Sequence, residues 1–212
     1  MKRVLRIIAC GLLAGALAGC GGGGIAEVDG VDMKALAHMK EILAKEPRLP
    51  DGFSPRPGQA WQAPFTPADR NCRAVLDAAA GRAPERALTA QAATSYQGDE
   101  LGEQVGVGLA QYMGSEAEGH IAELARALES CRAVRAGSGT LLRTTILPLG
   151  DVADEAVGGE LRGKLNGYPY TLDVVLARSG DTLVSLVHTS MAEMEPQRTR
   201  QLLDAVIRMA TA

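Results

Sequence analysis

The sequence has three imidazole side chains, the group whose unperturbed pKa suits a general base near neutral pH: His38, His120 and His188. Nucleophilic catalysis also needs a nucleophile and a group that orients the base. None of the histidines has a sequence neighbourhood that suggests such a set, and Ser179 and Ser185 lack the strand-to-helix turn that exposes a nucleophilic serine. We expect His38 and His120 to face solvent on helices and His188 to end a strand. The sequence predicts no catalytic residue and no enzyme activity.

Three carboxylates lie close together after a predicted strand at 140–149: Asp151, Asp154 and Glu155. Such groups could form a glycosidase pair or a calcium site. The alternating ligands, central glycine and terminal glutamate of a calcium loop are absent, and acidic runs are usually solvated. Cysteine and histidine spacings typical of zinc are also missing. The sequence predicts no metal and no cofactor.

The first residues of the chain have the layout of an export signal. Lys2, Arg3 and Arg6 form a positive region, and residues 7–18 are uncharged. This apolar run is shorter than the roughly 20 residues that span a bilayer. We therefore predict a signal peptide at 1–19.

Leu17–Cys20, "LAGC", resembles the lipobox of bacterial lipoproteins. The resemblance implies that Cys20 becomes the first mature residue and carries at least two acyl chains, each buried methylene adding about 0.8 kcal/mol to membrane attachment. Gly21–Gly24 would then begin a flexible tether at 20–34. The expected location is the outer face of the cytoplasmic membrane, with the bilayer as a partner through the lipid anchor. The alternative is an ordinary signal peptide cut near Ala18, with Cys20 a free thiol.

Two further cysteines remain in what would be an oxidising compartment. Cys72 and Cys131 each fall on the apolar face of a predicted helix. We expect them to form a disulfide that clamps the two helices where they meet the core, worth about 4 kcal/mol by the chain-entropy estimate. The alternative is a pair of buried reduced thiols.

Composition limits the class of partner and the kind of core. The chain has 22 basic and 25 acidic residues, and removal of the signal peptide makes it more acidic, which disfavours a nucleic-acid partner. Aromatic residues make up 3% of the chain, so the core must be built from aliphatic side chains, which favours helices packed on a sheet. The preference for arginine over lysine, with abundant alanine and glycine, is typical of GC-rich coding and hints at an actinobacterial source.

Hydrophobic periodicity predicts the order of the elements. A helix at 31–45 is expected to dock on the domain, the alternative being a helix that binds a partner, and the proline-rich segment 47–67 is expected to be extended and pinned by its aromatic residues. The remaining expected elements are a helix capped by Thr66 and ending at Gly81, strands at 87–97 and 100–113, a helix at 115–132, a strand at 140–149, an undecided element at 155–165, a hairpin at 170–177 and 182–189, and a helix after Pro196. This order predicts one α+β domain at 35–212, with an antiparallel β-sheet of about five or six strands packed with helices.

Five segments of the predicted domain form a recognisable set. They are "LPDGF" (49–53), "DRNC" (69–72), "ALESCRAV" (127–134), "LPLGDVADEAV" (147–157) and "VVLARSGDTLVSLVH" (174–188). In this order they resemble the PknH-like extracellular sensor domain of actinobacterial kinases and lipoproteins. The resemblance spans about 35–212 and implies a binding module with a cleft beside an antiparallel sheet. The kinase members carry two disulfides and a kinase domain, whereas this chain has one cysteine pair and no kinase.

The sequence therefore favours a lipid-anchored extracytoplasmic protein that acts as a ligand-binding or sensor module. Its expected partner is an unidentified small molecule or an envelope protein, and any signal would have to pass to another protein. A lipoprotein that docks on an envelope partner is the alternative, and a cell-wall enzyme ranks last.

Overall fold

The computed structural model describes residues 30–45, 48–137, 139–192 and 194–211. The predicted signal peptide, Cys20 and the glycines that follow it lie outside the described residues. No helix in the described part of the chain is long and apolar enough to span a membrane.

A seven-stranded antiparallel sheet forms the centre of the domain. The strands are β1 (Leu88–Gln97), β2 (Gln104–Tyr112), β3 (Ala133–Ala136), β4 (Thr140–Ile146), β5 (Glu155–Leu165), β6 (Tyr168–Ser179) and β7 (Thr182–Ser190). They are ordered β1-β2-β7-β6-β5-β4-β3. The α+β class is confirmed, but the expected count of five or six strands was wrong. β3 has only four residues, too few for an alternating pattern, and the undecided element at 155–165 is β5.

The two predicted hairpins are confirmed and supply four neighbouring strands, from the β1 edge to the central strand β6. β1 pairs with β2, and β6 pairs with β7 across a turn in which Gly180 has a φ of 60°. That backbone conformation favours glycine, which is why the turn could be located from sequence. β2 also pairs with β7 and thereby joins the two hairpins into one sheet.

Four helices cover the two faces of this sheet: α1 (Met33–Ala44), α2 (Arg70–Ala79), α3 (Glu116–Ser130) and α4 (Pro196–Ala210). One hydrophobic core lies under α2 and α3, and a second lies under α1 and α4. The buried side chains of α1 confirm that this helix docks on the domain. The aromatic residues of the proline-rich segment pack as expected, with Trp61 and Phe65 against the first core and Phe53 against the second.

The start of α2 differs from the prediction. Asp69, rather than Thr66, caps the helix, and its carboxylate accepts hydrogen bonds from the backbone N–H groups of Asn71 (2.8 Å) and Cys72 (3.0 Å). A single carboxylate oxygen thus satisfies two N–H groups that have no partner within the helix. The helix therefore begins at Arg70, later than the sequence suggested.

The predicted disulfide is present. Cys72 of α2 is bonded to Cys131, the residue that ends α3, with their Cα atoms 4.9 Å apart and a sequence separation of 59. Each cysteine is 1% exposed within the first core. The bond fastens α2 to α3 on the same face of the sheet.

Candidate functional site

A groove between α1 and the second half of α4 is the candidate binding site. This α1–α4 groove has a volume of about 340 Å³. Its floor is apolar, and its rim carries cationic or imidazole side chains. The floor residues are Ile42, Ala205 and Met209, and the rim residues are His38, Lys45, Arg48 and Arg208.

Helical spacing explains this division. His38, Ile42 and Lys45 follow one another at intervals of four and three residues, so they share one face of α1. On α4, Ala205 and Arg208 likewise share a face, while Leu202, Leu203 and Val206 pack into the second core. The face of α4 that does not contact the sheet is therefore free to line a groove.

The rim of the groove carries positively charged side chains that no carboxylate of the groove neutralises. None of the described residues that line the α1–α4 groove is a carboxylate. Lys45 Nζ lies 3.2 Å from Glu41 Oε1, but both side chains are about two-thirds exposed, where ion pairs are weak. Arg48 and Arg208 make no ion pair with any described residue.

A more polar groove adjoins the first one and leads along α4 to Arg198. It has a volume of about 570 Å³ and shares Arg48 and Arg208 with the α1–α4 groove. Two carboxylates, Asp51 and Asp204, line it as well. The two grooves together expose one side of α4 from its first turn to its last.

Arg198 connects this surface to a buried carboxylate. Its Nε lies 2.6 Å from Glu103 Oε1 and its Nη2 lies 3.2 Å from Glu103 Oε2, a bidentate pair, although Glu103 is only 2% exposed. The guanidinium also stacks 4.9 Å above the centre of the Phe53 ring and reaches to 3.7 Å from Asp99 Oδ1. Bidentate pairing of this kind holds Arg198 in one orientation.

Behind Glu103 a chain of hydrogen-bonded side chains runs into the second core. Glu103 Oε1 lies 3.1 Å from His188 Nε2, and His188 Nδ1 lies 2.9 Å from Thr199 Oγ1. Thr199 Oγ1 lies 2.6 Å from Asp173 Oδ2. His188 and Asp173 face each other across β7 and β6, and Thr199 comes from the first turn of α4. We call Glu103, His188, Thr199 and Asp173 the buried relay.

Burial decides where the protons of the relay reside. It raises the pKa of Asp173 to about 6, an effect that Glu160 reinforces and the hydrogen bond with Thr199 opposes. Burial lowers the pKa of His188. Burial raises the pKa of the Glu103 carboxyl group, but hydrogen bonds from Arg198 and His188 outweigh this effect. The pKa of Glu103 is therefore lowered overall.

The hydroxyl of Thr199 donates its one hydrogen to Asp173 Oδ2. The neutral His188 ring has a single N–H, which serves either the Glu103 carboxylate through Nε2 or Thr199 Oγ1 through Nδ1. The Glu103 and Arg198 charges cancel, so with Asp173 in its acid form the relay and its arginine carry no net charge.

The order carboxylate, imidazole, hydroxyl also occurs in nucleophilic hydrolases. Here the hydroxyl belongs to Thr199, which is 3% exposed, and the imidazole of His188 is fully buried. A substrate carbonyl has no route to Thr199 Oγ1 in this conformation. The relay therefore holds a proton inside the second core instead of presenting a nucleophile.

The structure separates the three predicted histidines. His38 is exposed on the rim of the α1–α4 groove, as expected for a solvent-facing residue. The expectation was wrong for His120, which is 2% exposed, has its Nε2 2.9 Å from the carbonyl oxygen of Arg86, and packs against the Tyr112 ring. His188 lies two residues before the end of β7, close to the predicted strand end, and is fully buried in the core, where it joins the buried relay.

The predicted acidic segment does not join the site. Asp154 accepts a hydrogen bond from Gly180 N (2.8 Å) and lies 3.4 Å from Arg178 Nη1, so it supports the β6–β7 turn. Glu155 begins β5, and Asp151 is exposed. Within the described ranges, no group of three histidine, cysteine or acidic residues is placed to hold a metal ion.

The relay residues were missed because sequence shows their types but not their proximity. Asp173 and His188 interrupt otherwise apolar stretches, "TLDVVLA" and "SLVHT", and a charged residue in the middle of a buried strand is a signal of a polar partner. Glu103 and His188 are 85 positions apart, and only the β2–β7 pairing brings them together.

Comparison with known proteins gives a likeness of fold. No family model matches the chain, and no curated protein matches it. The crystal structure of the extracellular domain of PknH from Mycobacterium tuberculosis superposes with a TM-score of 0.51 at 12% sequence identity, covering 84% of this chain and 93% of that one. This similarity supports the PknH-like fold that the sequence suggested.

A second solved structure, an uncharacterized protein from Mycobacterium smegmatis, covers 87% of this chain and 99% of its own, at 15% identity and a TM-score of 0.47.

Proposed function

We propose that this chain is an extracytoplasmic ligand-binding module, fastened by lipids on Cys20 to the outer face of the cytoplasmic membrane. Three observations support this location. The first 20 residues have the pattern of a lipoprotein signal, the Cys72–Cys131 disulfide is of the kind that persists in oxidising compartments, and the fold resembles that of an extracellular domain.

The observation that carries the binding role is the α1–α4 groove. Its volume of about 340 Å³ falls in the range of small-molecule sites, about 300–1,000 Å³. Arg48 and Arg208 stand at its rim and form no ion pair with a described residue, and the protein as a whole is acidic. A ligand that supplies the missing negative charge would be stabilised there more than elsewhere on the surface.

The polar groove beside it connects a ligand at the surface with the buried relay. Arg198 lines this groove and also holds Glu103 at the head of the buried relay. A ligand that draws Arg198 away would leave a buried carboxylate short of its partner, at a cost of several kcal/mol. Binding at the surface would then change the stability of the contact between α4 and strands β2 and β7. Through such a change a sensor can report that its ligand is bound.

The ligand can be sought directly. The full chain with its own signal would be produced in an actinobacterial host, and small molecules that remain with the purified protein would be identified by mass spectrometry. A variant with Arg48→Ala and Arg208→Ala serves as the comparison, and one with Arg126→Ala and Arg143→Ala, two exposed positions outside both grooves, as the matched control.

We expect at least one compound to accompany the native protein and the matched control but not the groove variant. Identical sets of compounds in all three preparations, or none in any, would contradict a binding role for the groove.

A further inference from the structure

We propose that the α1–α4 groove binds an amphiphilic anion, a phosphate or carboxylate head group joined to an apolar chain. This inference rests on the proposed binding function and names the chemical class of its ligand. It follows from the division of the groove into a cationic rim and an apolar floor.

The rim selects the head group. Arg48 and Arg208 offer planar guanidinium groups that can hold a phosphate or carboxylate through paired N–H donors. Neither has a described partner that a ligand would have to displace. Lys45 adds a third cation, whose exposed pair with Glu41 is weak enough to exchange.

The floor selects an apolar chain. Ile42 and Ala205 are 8% and 2% exposed, so their remaining surface lies at the bottom of the groove. Met209 beside them is an unbranched, flexible side chain that adapts to different apolar shapes. A bare inorganic anion would leave this apolar surface wet, whereas a hydrocarbon chain would cover it.

Two features argue against other anions. Among the described residues lining the groove, the only aromatic ring is that of His38 on the exposed rim, so a nucleotide base or a sugar ring would find no stacking surface on the floor. The adjoining polar groove contains Asp51 and Asp204, which repel a second negative charge. A head group with one anionic centre, held at the Arg48 and Arg208 end, fits this charge distribution best.

Thermal unfolding of the full chain tests the proposal. The lipoprotein would be placed in phosphatidylcholine nanodiscs, and its unfolding would be followed by the fluorescence of Trp61, the single tryptophan of the chain, which is 4% exposed. Three probes would be titrated: decyl phosphate, inorganic phosphate and decyltrimethylammonium. The Arg48→Ala/Arg208→Ala variant is measured in nanodiscs of the same composition. It therefore corrects the apparent affinities for partition of the probes into lipid.

We expect decyl phosphate to raise the unfolding temperature of the native protein and to bind the groove variant at least tenfold more weakly. The Arg126→Ala/Arg143→Ala control should respond like the native protein. A similar rise with phosphatidylglycerol nanodiscs alone would support the proposal and identify the bilayer as the source of the anion, and a rise with decyl phosphate alone would support it with a soluble source.

An equal response to inorganic phosphate would overturn the need for an apolar chain, and an equal response to decyltrimethylammonium would overturn the need for negative charge. No response to decyl phosphate would also overturn the proposal. Failure of the proposed function is distinguishable from these results, because it would appear as the absence of any groove-dependent compound in the purified protein.

Discussion

Replacing Asp173 by asparagine tests whether the buried relay holds its proton on this carboxyl group. Asparagine has nearly the same shape, and its amide is neutral at every pH, like the acid form of Asp173. The side chain is 2% exposed, and its Oδ1 has no hydrogen-bond partner among the described residues. The native protein and the variant should therefore respond differently to pH.

The magnitude follows from the pKa of Asp173, which burial raises from 3.8 to about 6. Between these values the folded protein keeps the proton and the unfolded chain has lost it, so the free energy of unfolding falls as pH rises. The fall approaches 1.4 kcal/mol per pH unit, and its total over the full titration is about 3 kcal/mol. This stabilising contribution is fully present well below pH 4 and is lost as the pH rises through about 6, where half of the folded Asp173 is still protonated. The free energy of unfolding of the Asp173→Asn variant should not show this fall, because asparagine does not titrate.

The assay is urea unfolding of both proteins at intervals from pH 4 to pH 7. We expect the variant to gain on the native protein by about 2 kcal/mol between pH 4 and pH 6 and by a few tenths of a kcal/mol more by pH 7. Asp151→Asn, at an exposed position, is the matched control and should show no such gain. A variant that gains nothing on the native protein over the whole range, or that loses stability relative to it as pH rises, would refute the assignment of the proton to Asp173.

Two further predictions concern stability. Cys72→Ser should lower the free energy of unfolding by about 4 kcal/mol, because it opens a loop of 59 residues, and an unchanged urea midpoint would contradict this. Thr199→Val should lower it by about 1–3 kcal/mol, because His188 Nδ1 and Asp173 lose the hydroxyl between them, whereas Thr199→Ser should be close to the native protein. Equal urea midpoints for the valine and serine variants would show that the hydroxyl contributes nothing.

Much of the fold could be predicted because its signals are local. The alternation of Val105, Val107 and Leu109 with polar or small residues marks β2, and Gly180 marks the β6–β7 turn. β5 was ambiguous because Gly158 and Gly159 interrupt its pattern in the middle of the strand. β3 was missed since four residues carry too little periodicity.

The candidate site could not be predicted in the same way, because it depends on long-range packing. The α1–α4 groove forms only when His38 and Arg208 come together across two helices from opposite ends of the described chain. The side on which His120 is buried depends on the neighbouring Tyr112 and the Arg86 carbonyl group, which lie on other elements. The lipid anchor at Cys20 remains a prediction from sequence.

The most direct test of the account is the mass and location of the native N-terminus. The full chain would be produced in an actinobacterial host, the cells fractionated, and the N-terminal peptide analysed by mass spectrometry, with Cys20→Ala as the control. We predict a membrane-bound protein that begins at Cys20 and carries the mass of a diacylglyceryl group, and a control without that mass. An unmodified chain that begins at Met1 and is recovered from the cytosol would contradict the account.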